Sequence, residues 1–237
     1  MVSIRNTSIV LLLLVFIGCK TGKPIAKATS DTANVVENQL TYLALGDSYT
    51  IGEMVEQSLT FPFQLAKAIT GKTDFEVTTP RVIAKTGWRT DQLLDSITVV
   101  KDQYDLVSVL IGVNNQYQGK DIDQFTKEFE LLLQKAISFS RSGKKGVFVY
   151  SIPDYSIMPF MRGKDTKKVQ AELKNYNGIC SAVAQQFGVS FYNITPISQK
   201  AQYDSSFIAD DKLHPKGAMY KIWVSETIDR IISNQLR

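Results

Sequence analysis

Apolar residues in this chain follow two rhythms that alternate from residue 40 onward. Short apolar or β-branched runs, of strand length, recur at Thr41 to Leu45, within Phe75 to Ala84 (Val82-Ile83-Ala84), and at Leu106 to Ile111, Gly146 to Ser151 and Val189 to Ile194. Between them apolar positions fall three and four apart, the spacing of one helix face. That spacing predicts helices over Pro62 to Ile69, Thr90 to Val100, Asp121 to Phe139, Lys164 to Phe187 and Pro215 to Ile232. Leu93, Leu94, Ile97 and Val100 illustrate it. Leu106 to Ile111 is apolar apart from Ser108, as a strand buried on both faces should be. Asp121 opens its helix with the charge that suits a helix N-terminus, and Pro215 fits a first helical position. Five strands alternating with helices predict an α/β domain, a parallel sheet covered on both faces.

The first forty residues break the rhythm. Ile9 to Ile17 is unbroken and apolar, preceded by Arg5. It is far shorter than the roughly 20 residues a spanning helix needs, so it reads as a secretory signal. It ends Gly18-Cys19, which resembles the bacterial lipoprotein box. The resemblance implies a signal peptide over 1–18, lipidation of Cys19, and a membrane-anchored place in the cell envelope, facing periplasm or exterior. Residues 19–39 are rich in Lys, Thr, Ser, Ala and Asn and read as a tether, leaving 40–237 as the domain.

Composition narrows the chemistry. Hydrophobic content of 44% with 21% charged residues suits a globular domain with a real core. The net charge of +4 is spread out, and Lys144-Lys145 and Lys167-Lys168 are pairs rather than patches, so no nucleic-acid partner is expected. Of the two cysteines, Cys19 ends the signal and Cys180 lies among apolar residues on a predicted helix, where it reads as a small buried hydrophobe. A single His and no Cys/His cluster argue against a zinc site. No phosphate-cradling glycine loop is present, and no metal or cofactor is expected.

In parallel α/β sheets the site lies beyond the carboxyl ends of the strands. There the chain carries Gly46-Asp47-Ser48-Tyr49, Lys85-Thr86-Gly87-Trp88 and Gly112-Val113-Asn114-Asn115, with Asp211-Lys212-Leu213-His214 before the last helix. These are the parts of an acyl-transfer site. A serine hydroxyl needs an adjacent base. His214 can take the Ser48 proton, and Asp211 can orient and stabilise the imidazolium. Asp210 is the competing acid, disfavoured by spacing. The Ser48 and Gly87 N–H groups and the Asn114 amide are candidate oxyanion donors. Structural readings compete: Ser48 as a helix cap, His214 as a packing residue, Asn114 and Gly87 as turn residues.

The four blocks, in this order from about Tyr42 to Trp223, resemble the GDSL/SGNH hydrolase superfamily. The resemblance places its nucleophile on Ser48, its oxyanion glycine and asparagine on Gly87 and Asn114, and its acid and base on Asp211 and His214. It implies a three-layer α/β/α, flavodoxin-like fold that hydrolyses esters or thioesters. Asn115, where the third block often has Asp, is expected to change local hydrogen bonding only. Thr50 breaks a Gly-x-Ser-x-Gly elbow, which argues against an α/β-hydrolase fold. Trp88 is a candidate for the pocket wall or for the core. Tyr155 to Arg162, with Met158, Phe160 and Met161, is either a lid over an acyl pocket or a packed loop; Met158 and Phe160 are its candidate substrate contacts.

The expected activity is a serine esterase of lysophospholipase or acyl-esterase type working through an acyl-enzyme on small-molecule, lipid or glycan esters. The alternatives are a carbohydrate O-acetylesterase acting on surface glycans and a non-catalytic lipoprotein that binds glycan or lipid.

Overall fold

The computed structural model describes residues 38–236. The signal peptide, Cys19 and all of the tether before Asn38 lie outside the described residues.

Five strands form one parallel sheet in the order β4-β2-β5-β6-β7: β2 (Tyr42–Gly46), β4 (Arg81–Ala84), β5 (Leu106–Leu110), β6 (Val147–Tyr150) and β7 (Ser190–Tyr192). Every residue of β2, β5 and β6 is buried, the signature of strands covered on both faces. Two further strands, β1 (Gln39–Leu40) and β3 (Glu76–Val77), pair as a separate parallel ribbon.

The helices are α1 (Ser48–Ile51), α2 (Phe61–Lys72), α3 (Thr90–Ser96), α4 (Val113–Tyr117), α5 (Ile122–Ser138), α6 (Thr166–Phe187), α7 (Thr195–Ser198) and α8 (Gly217–Gln235). Helix α5 buries Phe125, Phe129, Leu132, Leu133 and Ala136, one stripe at helical spacing, and Asp121 caps its N-terminus by accepting from the Gln124 N–H at 2.8 Å. Helices α2 and α8 pack on each other, tied by Lys72–Asp229 at 3.0 Å and by the Gln64 amide donating to the Gly217 carbonyl at 2.9 Å. Helix α5 packs between α3 and α6. With right-handed crossovers this strand order puts the two groups on opposite faces, which makes the three layers of a flavodoxin-like domain.

The order also sets where a ligand can enter. β2 has neighbours reached by crossovers in opposite directions, so the cleft opens at the carboxyl ends of β2 and β5. Register sharpens this: Gly46 pairs with both Ala84 and Leu110. Three strands therefore end level, and the segments after them emerge side by side. Gly46 is required there because a Cβ would lie 2.1 Å from the Thr50 hydroxyl and 2.3 Å from the Leu110 carbonyl.

Several boundaries differ from expectation. Phe75 to Ala84 is two strands, because Pro80 has no N–H for the ladder. The helix expected at Lys164 starts at Thr166, behind an Asp165 cap. Pro215 is not helical; it bridges to Ile208, and α8 begins at Gly217. The end of the Thr90 helix tightens into a 3₁₀ turn over Ile97–Val99. Cys180 is buried in α6, and burial pushes its thiol far up.

Candidate active site

Asp47 turns the chain out of β2. Its carboxylate accepts the Tyr49 N–H at 3.0 Å, and its carbonyl accepts from Thr50 and Ile51. Asp47, not Ser48, is thus the cap of α1. Ser48 becomes the first residue of a short helix that Gly52, at φ 76°, closes at its other end. The Ser48 N–H has no acceptor among the described residues.

The His214 loop is a self-contained clasp. Asp211 accepts from the Leu213 and His214 N–H groups at 2.9 and 3.0 Å, and its other oxygen meets His214 Nδ1 at 2.5 Å. Partial burial pushes the Asp211 carboxyl up, but the imidazole and the two N–H donors outweigh it and hold the acid below its usual range. Asp210 instead pairs with Lys216 at 3.3 Å. The loop is closed by the Ala209 N–H donating to the His214 carbonyl at 2.8 Å. Lys212 takes a left-handed backbone, φ 65°, to make the turn. The Tyr49 ring meets the imidazole edge-on at 5.8 Å, which limits where the ring can swing.

Ser48, His214, Gly87 and Asn114 line one cavity of about 190 Å³. Neither the Ser48 hydroxyl nor His214 Nε2 is bonded to another side chain among the described residues. Gly87, at φ 85°, adopts a backbone that favours glycine, and a Cβ there would meet nothing within 4 Å. The residue is therefore selected by backbone conformation and open approach, not by packing. Asn114 donates one amide proton to the Trp88 carbonyl at 3.0 Å, which aims the side chain and leaves its second proton for the cavity. Asn115 sits behind it, buried, accepting from the Thr90 N–H at 3.1 Å and donating to the Thr90 hydroxyl at 2.7 Å. It joins α4 to α3.

Of the residues expected to touch substrate, Phe160 lines the cavity. Two do not. Met158 is 4% exposed and packs in the core, because its loop turns inward where the Met158 N–H bonds the Tyr155 carbonyl. The Trp88 ring packs against the core, and only its carbonyl serves the site. The segment Tyr155 to Arg162 is a packed loop. Tyr155 and Met161 are buried, and the Phe160 N–H donates to the Lys212 carbonyl at 3.0 Å. Tyr155, first residue of the segment read as lid or packed loop, also lines the cavity; the other walls, Tyr49, Thr86, Val113, Tyr117 and Leu213, had no role assigned from sequence, although each sits one to three residues from a site residue. The Thr86 hydroxyl donates to the Glu53 carboxylate at the rim.

Asp47 carries a feature no motif shows. It is fully buried, and one of its carboxylate oxygens has no hydrogen-bond partner. Burial raises its pKa from 3.8 to about 7, against the lowering effect of the Tyr49 N–H.

A profile of the GDSL-like Lipase/Acylhydrolase family matches residues 44–222. Solved structures share the fold at low identity. A member of the lipolytic protein G-D-S-L family from Veillonella parvula DSM 2008 superposes with a TM-score of 0.63 and 14% identity, covering 80% of this chain and 96% of its own. A lipase/acylhydrolase from Enterococcus faecalis gives 0.61 and 17%, covering 82% and 96%. An acetylxylan esterase from Geobacillus stearothermophilus gives 0.61 and 16%, covering 81% and 94%. Among curated proteins no relative matches the chain in sequence.

Proposed function

Because the chain belongs to the GDSL-like lipase/acylhydrolase family and is an ester hydrolase, we propose that it cleaves carboxylic esters of small acyl groups through an acyl-enzyme on Ser48. His214 takes the hydroxyl proton as Ser48 attacks the carbonyl carbon. Asp211 holds Nδ1–H and stabilises the imidazolium that forms. The oxyanion is received by the Ser48 and Gly87 N–H groups and the free Asn114 proton. His214 returns the proton to the leaving alkoxide, and water then repeats the cycle to free the acid. The observation that carries this reading is the shared cavity. Ser48 with its unbonded hydroxyl, His214 with its Asp211-held imidazole, Gly87 and Asn114 all line one space of about 190 Å³.

That size supports short acyl groups, since a cavity of about 150 Å³ holds a benzene-sized molecule. It favours, as second reading, removal of acetyl groups from glycans. The test is hydrolysis of a p-nitrophenyl ester series from acetate to palmitate, with Ser48→Ala and His214→Ala alongside. The expected result is turnover of the short esters, falling beyond about six carbons and lost in both variants. Equal activity in wild type and variants would overturn it. The Cys19 lipid anchor and an envelope location are part of the proposal; labelling of Cys19 by a fatty-acid analogue in expressing bacteria tests them.

A further inference from the structure

The cavity has two sides, and the chemistry of the leaving group assigns them. His214 must hand its proton to the departing alkoxide, so the alcohol half of the ester lies against the His214 side. Leu213 and Phe160 form that side. Phe160 is fixed there because its N–H bonds the Lys212 carbonyl at 3.0 Å, two residues before His214. The oxyanion donors Gly87 and Asn114 come from other strand ends, after β4 and β5. An alcohol larger than the cavity must therefore leave past Phe160.

Beyond Phe160 it meets a positive charge. The Lys164 ammonium sits 3.5 Å from the centroid of the Phe160 ring. This cation–π contact orders an otherwise free side chain at the cavity wall. Lys164 has no carboxylate partner among the described residues, and neither has Arg162 in the same loop nor Lys212 in the facing one. The acids nearby in sequence make other contacts. Asp165 caps α6, Asp210 pairs with Lys216, and Asp211 holds His214. Elsewhere at the cavity the Thr86 hydroxyl donates to the Glu53 carboxylate. Lys164, held on the Phe160 ring, marks the alcohol exit. Tyr117, exposed and 6.5 Å from Phe160 ring to ring with the two planes inclined at 49°, adds a second aromatic side chain beside it.

We propose that Lys164 is a specificity-determining residue and that the preferred substrate is an ester whose alcohol carries a monoanionic group a ring's width from the scissile oxygen. This deepens the ester-hydrolase reading and rests on it. The ring of the alcohol lies along Phe160 and Tyr117, and its anion meets Lys164. Carboxylate and phosphodiester share this chemistry.

The test reads binding rather than turnover, so that it stands apart from the esterase assay. Ser48→Ala protein is titrated by NMR with 4-acetoxybenzamide, 4-acetoxybenzoate and 4-acetoxyphenyl methyl phosphate at low salt. The expected result is that at least one anion binds about three- to fivefold more tightly than the neutral amide, the range of a single exposed charge pair. Whichever anion gains more identifies the source. The preference disappears in Lys164→Gln, reverses in Lys164→Glu, returns in Lys164→Arg, and fades in 0.5 M salt. Equal affinities for neutral and anionic ligands, or a preference that survives Lys164→Glu, overturns the proposal. Failure of the esterase reading would show differently, as wild-type enzyme inert toward p-nitrophenyl acetate.

Discussion

Replacing Asp47 by Asn tests how the fold holds a carboxyl group directly beneath the nucleophile. Asn keeps the shape and can still accept the Tyr49 N–H, but it cannot ionise. In the wild type the folded-state pKa of this acid is raised, from 3.8 to about 7. A raised carboxyl pKa means the native state holds a proton the unfolded chain releases. The stabilisation is therefore complete below about pH 4 and is lost as pH rises toward 7. At about 1.36 kcal/mol per pH unit across that window, wild type loses about 4 kcal/mol that the variant keeps. For a domain of this size each kcal/mol moves Tm by about 2–4 °C, so the difference in Tm between variant and wild type should grow by roughly 8–16 °C between pH 4 and pH 7.5. It should then level off. The assay is thermal unfolding of both proteins across pH 4 to 8.5, read as the difference at each pH, which cancels every other titrating group. Two parallel curves would refute the reasoning and place a charged, solvated carboxylate at Asp47.

Other outcomes follow from the same geometry. Asp211→Asn should lower kcat on p-nitrophenyl acetate by about 10²–10⁴ with little change in KM, since it spoils the imidazole tautomer while leaving the backbone clasp acceptors in place; KM and kcat falling apart in the other sense would contradict it. Gly87→Ala should cost about 10²-fold in kcat, because φ 85° strains any side chain and displaces an oxyanion donor, and steady-state kinetics on the same ester reads it. Phe160→Ala should shift the preference among acetate esters toward bulkier alcohols by enlarging the alcohol-side wall of the 190 Å³ cavity; an unchanged preference would remove Phe160 from that wall.

Much of this was legible in the sequence because burial on both faces leaves a plain mark. β2, β5 and β6 are apolar runs broken only by Ser108, and the pattern gives their ends to within a residue. The site blocks were legible because a parallel sheet delivers every strand end to one edge, so the polar segments after three strands needed only to be read together. What escaped was decided by tertiary packing. Pro80 split a strand whose second half alone reaches the main sheet. Met158 and Phe160, two residues apart in one loop, go to core and cavity respectively, and only the Phe160–Lys212 backbone bond explains which goes where. Trp88 contributes its carbonyl rather than its ring. The state of Asp47 depends on complete burial with one oxygen unpartnered, which no local pattern records.

The most direct test of the central claim is covalent labelling of the folded protein with a fluorophosphonate, located by peptide mass spectrometry. The account predicts one label per chain, on Ser48, absent in Ser48→Ala and slowed by about 10³-fold or more in His214→Ala. A well-folded protein that takes no label, or takes it on another residue at the same rate in His214→Ala, would contradict it.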